Sequence, residues 1–355
     1  MKKLARVLVI FIGISALIIL GGIFYYNNQI NSPLLLSSET VFTIAPGSNV
    51  EKIATDLERE RIIKNKNILL LYLKLNPNYA LGFKAGEFKI TSDTSLKELV
   101  LQLQDASANR NDMSVLIQEG LRYDEISELL NLSFSSLSET KFDKDEYIRI
   151  VENPDSYEFS EPAKSFLSEH KPAGKNLEGF LYPDTYFFSK DATALEIINK
   201  QVATLSLKLT GDDKAAISKS SYSLYDKLNI ASMVEREAFT NDEKADIADV
   251  IYKRLEQGVV GVKLLQIDAT LLYQANDWKA DPVREKAKDG PYNTYTRTGL
   301  PPTPICNPGI DSLRASIYPN SNDYFFYLHD SSGNIHFARN QSEHDANVRK
   351  YIFNR

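Results

Sequence analysis

The sequence predicts an α+β fold: a single N-terminal transmembrane helix, a small strand-helix-helix-strand unit, and a larger mixed domain. Three observations carry this. An uncharged apolar run from Val7 to Tyr26 follows Lys2, Lys3 and Arg6. Two short alternating segments, "VFTI" and "GEFKI", bracket two segments of helical period. The C-terminal half joins long helical patterns to a hairpin pattern, "YFFYLHDSSGNIHFA".

The run over 7–26 is long enough to cross a bilayer as a helix. No A-x-A-like cleavage end follows it, and "GGIFYY" supplies interfacial tyrosines, which predicts an uncleaved anchor rather than a signal peptide. The positive tail 1–6 stays in the cytoplasm, so everything after Asn27 lies outside the bacterial inner membrane. A polar linker, 27–40, leads to the small unit, 41–105. There "VFTI" is a strand, "PGS" a turn, and "NVEKIATDLERERI" a helix with Val50, Ile53, Ala54 and Leu57 on one face. "NKNILLLYLKL" is a second helix stopped at Asn76-Pro77, "GEFKI" returns as a strand, and "SDTSLKELVLQL" is a helix capped at Thr94 or Ser95. Strand, helix, helix, strand is the order of a LysM module, a fold that binds N-acetylglucosamine polymers. A faint repeat lays "TIAPGSNVEKIATDL" over "LIQEGLRYDEISELL", with Gly47 on Gly120, Ile53 on Ile126 and Leu57 on Leu130.

The larger domain, 112–355, starts with that second copy, and its stretch from about 133 to 168 reads as irregular helices and loops. Chemistry concentrates further on. In "ASMVEREAFTNDEKADIADVIYKRLEQG", successive residues are about 100° apart on a helix, so Leu224, Leu228, Ala231 and Ala238 form an apolar line with Glu235 in its middle. Glu237 falls about 160° away, where a solvated charge belongs. An acid among Leu and Ala is desolvated and its pKa rises, as general-acid chemistry requires. Thr240 and Glu243 form a capping box for the next helix, which Gly258 ends. "NLEGFLYPDTYFF" sets Glu178 and Asp184 among aromatics, and "GPYNTYTRTGLPPTPICNPG" is a long polar and aromatic loop of the kind that carries function.

Composition narrows the choices. Lys+Arg at 41 against Asp+Glu at 47 gives a formal charge of -6, which argues against a nucleic-acid binder. The single cysteine, Cys306, excludes an internal disulfide and a cysteine-cluster metal site. No G-x-G-x-x-G or G-x-x-x-x-G-K-[ST] loop is present for a nucleotide. His329, His336, Glu343 and His344 fit no compact zinc spacing. The sequence thus offers no metal or cofactor site.

The phrases "FKAGEFKI", "IQEGLRYDEI", "NLEGFLYPDTYFF", "ASMVEREA", "DVIYKRLEQG", "LQIDATLLY", "YNTYTRTGLPPTPICNPG", "SLRASIYP" and "HFARNQSEH" run in order through the chain. Together they resemble the membrane-anchored endolytic murein transglycosylases, the MltG or YceG-like family. The resemblance implies cleavage of the β-1,4 bond between N-acetylmuramic acid and N-acetylglucosamine inside nascent glycan strands, leaving 1,6-anhydro ends and terminating strand growth. It implies Glu235, the first acid of the V-E-x-E phrase, as catalyst. It places Gln266, Asp268, Thr270, Asn293, Thr294 and Tyr295 around the glycan, with Glu178 and Asp184 there or holding loops. Where the family commonly reads L-Q-[ST]-D-P-T, this chain has Gln266-Ile267-Asp268-Ala269-Thr270, read as an extended segment with one face retained. Implied partners are peptidoglycan strands, the membrane, and penicillin-binding proteins or other wall synthases. The competing reading is a non-catalytic peptidoglycan-binding scaffold.

Overall fold

The structure is a computed structural model and describes every residue except 1, 35, 37–39, 46, 77–82, 93, 105–111, 138–139 and 354–355. The chain is α+β and divides into two compact units, Met1–Ser114 with Phe187–Ser189, and Val115–Tyr186 with Lys190–Arg355.

The first unit contains α1 (Lys2–Asn31), β1 (Thr40–Ile44), α2 (Val50–Arg59), α3 (Lys66–Leu75), β2 (Gly86–Ile90) and α4 (Leu96–Gln102). The strands pair antiparallel with Phe42 opposite Phe88, and both rings are buried. Ile53, Leu57, Leu69, Leu73, Leu96 and Leu99 close over them, each pair supplied by a helix at the spacing that aligns side chains on one face. Asn49 and Asn65 cap α2 and α3 by accepting backbone N–H bonds. Ser95 and Glu98 form a reciprocal capping box on α4. Pro77, expected to stop α3, lies outside the described residues; Asn76 occupies the C-cap.

The expected transmembrane helix is corrected here. No helix among the described residues is long and apolar enough to cross a membrane. α1 does not end where the uncharged run ends: it continues through Asn27, Asn28, Gln29 and Asn31, residues expected in a linker. Its last turns belong to the unit's own packing, with Ile30 buried and Tyr26 against the same core.

β3 (Asp112–Leu116) pairs with β4 (Thr185–Ser189). The two strand-turn-helix copies share backbone geometry: Gly47 and Gly120 both have positive φ, at 75° and 77°, which a residue with a Cβ adopts only under strain. Ile53, Leu57, Ile126 and Leu130 are all buried behind them.

The second unit is mainly helical: α5 (Tyr123–Ser135), α6 (Lys144–Glu152), α7 (Ala163–His170), α8 (Ala194–Lys208), α9 (Gly211–Lys219), α10 (Leu224–Glu237), α11 (Asn241–Glu256), α12 (Asp268–Gln274), α13 (Pro282–Glu285) and α14 (Ile310–Ile317). The hairpin β5 (Phe326–His329) and β6 (Ile335–Ala338) and the helix α15 (Gln341–Val348) complete it. The stretch read as irregular contains α6, whose Tyr147, Ile150 and Val151 are fully buried; nine residues carry too few periods to stand out among Ser, Glu and Lys. α10 is the centre of the unit. Between Leu224 and Val234 every residue but Asp226 is buried, with α11, α12 and α14 packed around it.

Candidate functional site

A helix buried on all sides has no solvated face, so the wheel drawn for α10 cannot assign its two glutamates. Glu235 points toward the turn before α14, where its Oε2 accepts the Gly309 N–H at 3.0 Å and its Oε1 lies 3.4 Å from Lys244 Nζ. Glu119, after β3, packs against the same turn. A Cβ on Gly309 would meet Glu119 Oε1 at 1.9 Å, so a larger residue there would make the Glu119 side chain swing aside. Burial and the Glu235 carboxylate both push the Glu119 carboxyl above the ordinary range.

Glu237 is not the solvated charge that the wheel predicts. Its Oε2 accepts the Tyr327 hydroxyl from β5 at 3.0 Å, and it accepts the backbone N–H of Ala269 in α12. Burial raises its carboxyl to about 7, with the nearby Asp268 charge adding to the rise; the Tyr327 and Ala269 bonds and the Arg254 charge pull the other way. The reason for the correction is tertiary: the hairpin and α12 cover the face of α10 opposite the one Glu235 occupies.

Glu237 opens into a cavity of about 370 Å³ lined also by Arg254, Gln266, Asp268, Tyr295, Tyr327, Gln341 and His344. The segment read as extended instead turns a corner. Gln266 has φ +55°, Ile267 is extended, and Asp268 is the first residue of α12. That corner sends Gln266 and Asp268 into the cavity together. Asp268 Oδ1 accepts the Tyr295 hydroxyl at 2.6 Å and lies 3.3 Å from Lys286 Nζ, which sits 4.3 Å over the Tyr295 ring. Burial and the Asp268 carboxylate keep the Tyr295 phenol protonated, far above its ordinary range.

The other expected contact residues stand behind this wall. Thr270 and Thr294 are buried, with their hydroxyls 3.0 Å apart; Thr294 Oγ1 accepts the Ile267 N–H, and Thr270 Oγ1 donates to the Ile267 carbonyl. Asn293 is fully buried; its Nδ2 donates to the Lys286 and Lys288 carbonyls and its Oδ1 accepts the Tyr295 N–H. These three hold the loop and do not reach the cavity. Glu178 is also fully buried, accepting from Tyr123 N–H, Asn307 Nδ2 and Tyr273 OH, and burial raises its carboxyl to about 8. It ties loops together and cannot contact a polymer. Asp184 lies elsewhere, paired with Lys208 at 2.8 Å and accepting the Thr185 N–H.

Sequence reasoning missed Glu237, Arg254, Tyr327 and Asn307. Asn307 accepts the Gly179 and Leu181 N–H groups and donates to Leu121 O and Glu178, joining segments more than 120 residues apart. The one available signal for Glu237 was a second acid in the same short phrase. The histidines have local partners: His329 lies 3.3 Å from Glu243, His336 bonds Asp330, and His344 stacks on Phe326. Among the described residues, no group of three or more His, Cys, Asp or Glu side chains is placed to hold a metal ion.

A carboxyl group poised near neutrality, in a polar cleft with an arginine, an aspartate and tyrosines, defines an α+β protein equipped for acid–base chemistry on a polar substrate. The chain belongs to the YceG-like family, whose model matches residues 42–350. It is 30% identical over 343 residues to the endolytic murein transglycosylase of Bacillus subtilis (strain 168), covering 94% of this chain and 91% of that one. It is 28% identical over 357 residues to the endolytic murein transglycosylase of Streptococcus pneumoniae (D39), covering 95% of this chain and 63% of that longer protein. Among solved structures it resembles a putative YceG-like protein of Listeria monocytogenes, with a TM-score of 0.57, 28% identity, and coverage of 87% of this chain and 99% of the other.

Proposed function

We propose that this protein is an endolytic murein transglycosylase whose proton donor is Glu237. The observation that carries the reading is the Glu237 carboxyl at about 7 in the cavity that also holds Gln266, Asp268 and Tyr295. The names of the relatives support the substrate, peptidoglycan strands, and the lyase class.

In this mechanism Glu237 gives its proton to the glycosidic oxygen between N-acetylmuramic acid and N-acetylglucosamine, and that bond breaks with its electron pair on the departing oxygen. The muramoyl C6 hydroxyl attacks C1, and the Glu237 carboxylate takes the hydroxyl proton. One fragment ends in N-acetylglucosamine and the other in a 1,6-anhydro ring; no water is consumed. Because the nucleophile belongs to the substrate, the second carboxylate of an ordinary hydrolase pair is not needed as attacker. Asp268, with its charge beside the cleft, stabilises the positive charge that builds on the sugar.

Geometry thus favours Glu237 over Glu235 as the donor. Glu235 carries an ion pair and a backbone N–H bond on the opposite side of α10, and its role is to hold the turn before α14 against α11. The substrate places the enzyme outside the cytoplasm, where wall synthases such as penicillin-binding proteins supply new strands. Cuts within those strands end their growth, and the strand-helix-helix-strand unit is a LysM-like holder for them. Incubating the purified protein and its Glu237→Gln variant with murein strands, followed by mass analysis for anhydro ends, tests the reading. A pure scaffold makes no such ends in either sample.

A further inference from the structure

We propose that Arg254 locks Gln266 as a hydrogen-bond donor that reads the carbonyl oxygen of a sugar acetamido group in the Glu237 cavity. This rests on the glycan-cleaving reading above. It adds a specificity determinant and the group it recognises.

The argument starts from a donor-only side chain. Arg254 is 8% exposed, and its Nε donates to the Phe325 carbonyl at 2.8 Å while Nη1 donates to the Leu265 carbonyl and to Gln266 Oε1 at 3.3 Å. A guanidinium has no acceptor, so the Gln266 amide must turn its oxygen toward it. The amide NH₂ is left for the cavity, on a residue that is itself exposed. The backbone enforces the same pose. Gln266 holds φ +55°, a conformation few residues other than glycine adopt, and its N–H donates to Thr294 O at 3.1 Å. An ordinary surface glutamine flips freely between donor and acceptor. This one is set.

The rest of the wall complements the same group. An acetamido group offers a carbonyl acceptor, an N–H donor and a methyl. Opposite the N–H, the Asp268 carboxylate is 44% exposed, and the Tyr295 hydroxyl, which donates to Asp268 at 2.6 Å, keeps its lone pairs free to accept. Ile267 and Phe326 line the cavity beside them and give the methyl an apolar floor. Sugar hydroxyls both donate and accept, so they would not need a fixed amide. A free amine, a donor only, meets a donor at Gln266.

The test uses the full-length protein and two probes, tetra-N-acetylchitotetraose and the same tetramer fully de-N-acetylated, with affinity measured calorimetrically. The native protein is expected to bind the acetylated probe about tenfold to a hundredfold more tightly, the range for one unmatched polar group in a desolvated site. That preference must hold even though the free amine is cationic and the cavity carries carboxyl groups. Gln266→Glu, equally strained at φ +55°, removes the donor and should bring the ratio to within about threefold of one. Arg254→Lys keeps the charge but loses the planar fork that spans the Phe325, Leu265 and Gln266 oxygens, and should lower the same ratio; a merely structural loss would weaken both probes equally. Thermal melting reports whether each variant folds. Equal affinities in the native protein, no binding of the acetylated probe up to millimolar concentrations, or a native ratio kept by Gln266→Glu would each overturn the proposal. If anhydro ends form from both acetylated and de-N-acetylated murein at equal rates, this inference falls and the transglycosylase reading survives. An acetyl preference in binding, with no anhydro ends formed, has the opposite meaning.

Discussion

Replacing Glu237 by Gln removes a proton donor and leaves the shape of the side chain unchanged. General-acid catalysis is worth on the order of 10²- to 10⁴-fold, or about 3 to 5 kcal/mol of barrier. The variant should therefore lose at least about a hundredfold in kcat. It should keep its fold, because Gln Oε1 still accepts the Tyr327 hydroxyl. The native pH profile provides a second reading of the same group. With its carboxyl at about 7, the acid form of Glu237 falls from about nine-tenths at pH 6 to about one-tenth at pH 8, so kcat should drop several-fold across that interval. Glu235→Gln should behave differently. It removes the negative charge paired with Lys244, whose side chain is only 7% exposed, and should cost about 3 kcal/mol of stability while lowering kcat less than about tenfold. The assay is single-turnover release of anhydro-ended fragments from purified strands between pH 5 and 9, beside thermal melts. A Glu237→Gln enzyme within tenfold of native, or a flat native profile between pH 6 and 8, refutes the assignment of the donor.

Asp268→Asn removes a negative charge that raises the Glu237 carboxyl, so the alkaline limb of kcat should move to lower pH; an unmoved limb breaks the electrostatic link. Glu178 has its folded pKa raised to about 8 from 4.5, so its protonated form is the one that the fold favours. Its contribution is complete below about pH 4.5 and is lost as pH rises through about 8, and Glu178→Gln should flatten that decline in melts run from pH 5 to 9. Gly179→Ala sets a Cβ 2.6 Å from the Pro304 ring at φ +88°, and should cost about 2 to 4 kcal/mol, read as a lower melting midpoint; an unchanged midpoint means the turn relaxes freely.

The sequence by itself determined much of the local structure. Alternation placed Phe42 and Phe88 inward on a strand pair, helical spacing buried Ile53, Leu57, Ile126 and Leu130, and Thr240 with Glu243 opened α11. Those features depend on neighbours within a few residues, so periodicity and capping chemistry reveal them. The ordered phrases likewise carried the family. Tertiary structure decided the rest. A wheel assumes one buried side and one wet side, and α10 has no wet side, because α11, α12 and α14 surround it. Which glutamate meets a cavity was set by Tyr327, 90 residues away on a hairpin, and by the Ala269 N–H at the start of another helix. The same holds for Thr270, Asn293, Thr294 and Glu178. They look like substrate contacts because polar residues cluster in loops, yet they are buried posts whose partners satisfy the backbone of those loops. The apolar run over 7–26 was expected to cross a membrane, but no helix among the described residues is long and apolar enough to do so, and the last turns of α1 pack into the core of the first unit. Periodicity records which side chains share a face. What lies against that face depends on contacts between residues far apart in the chain, and those exist only once the chain has folded.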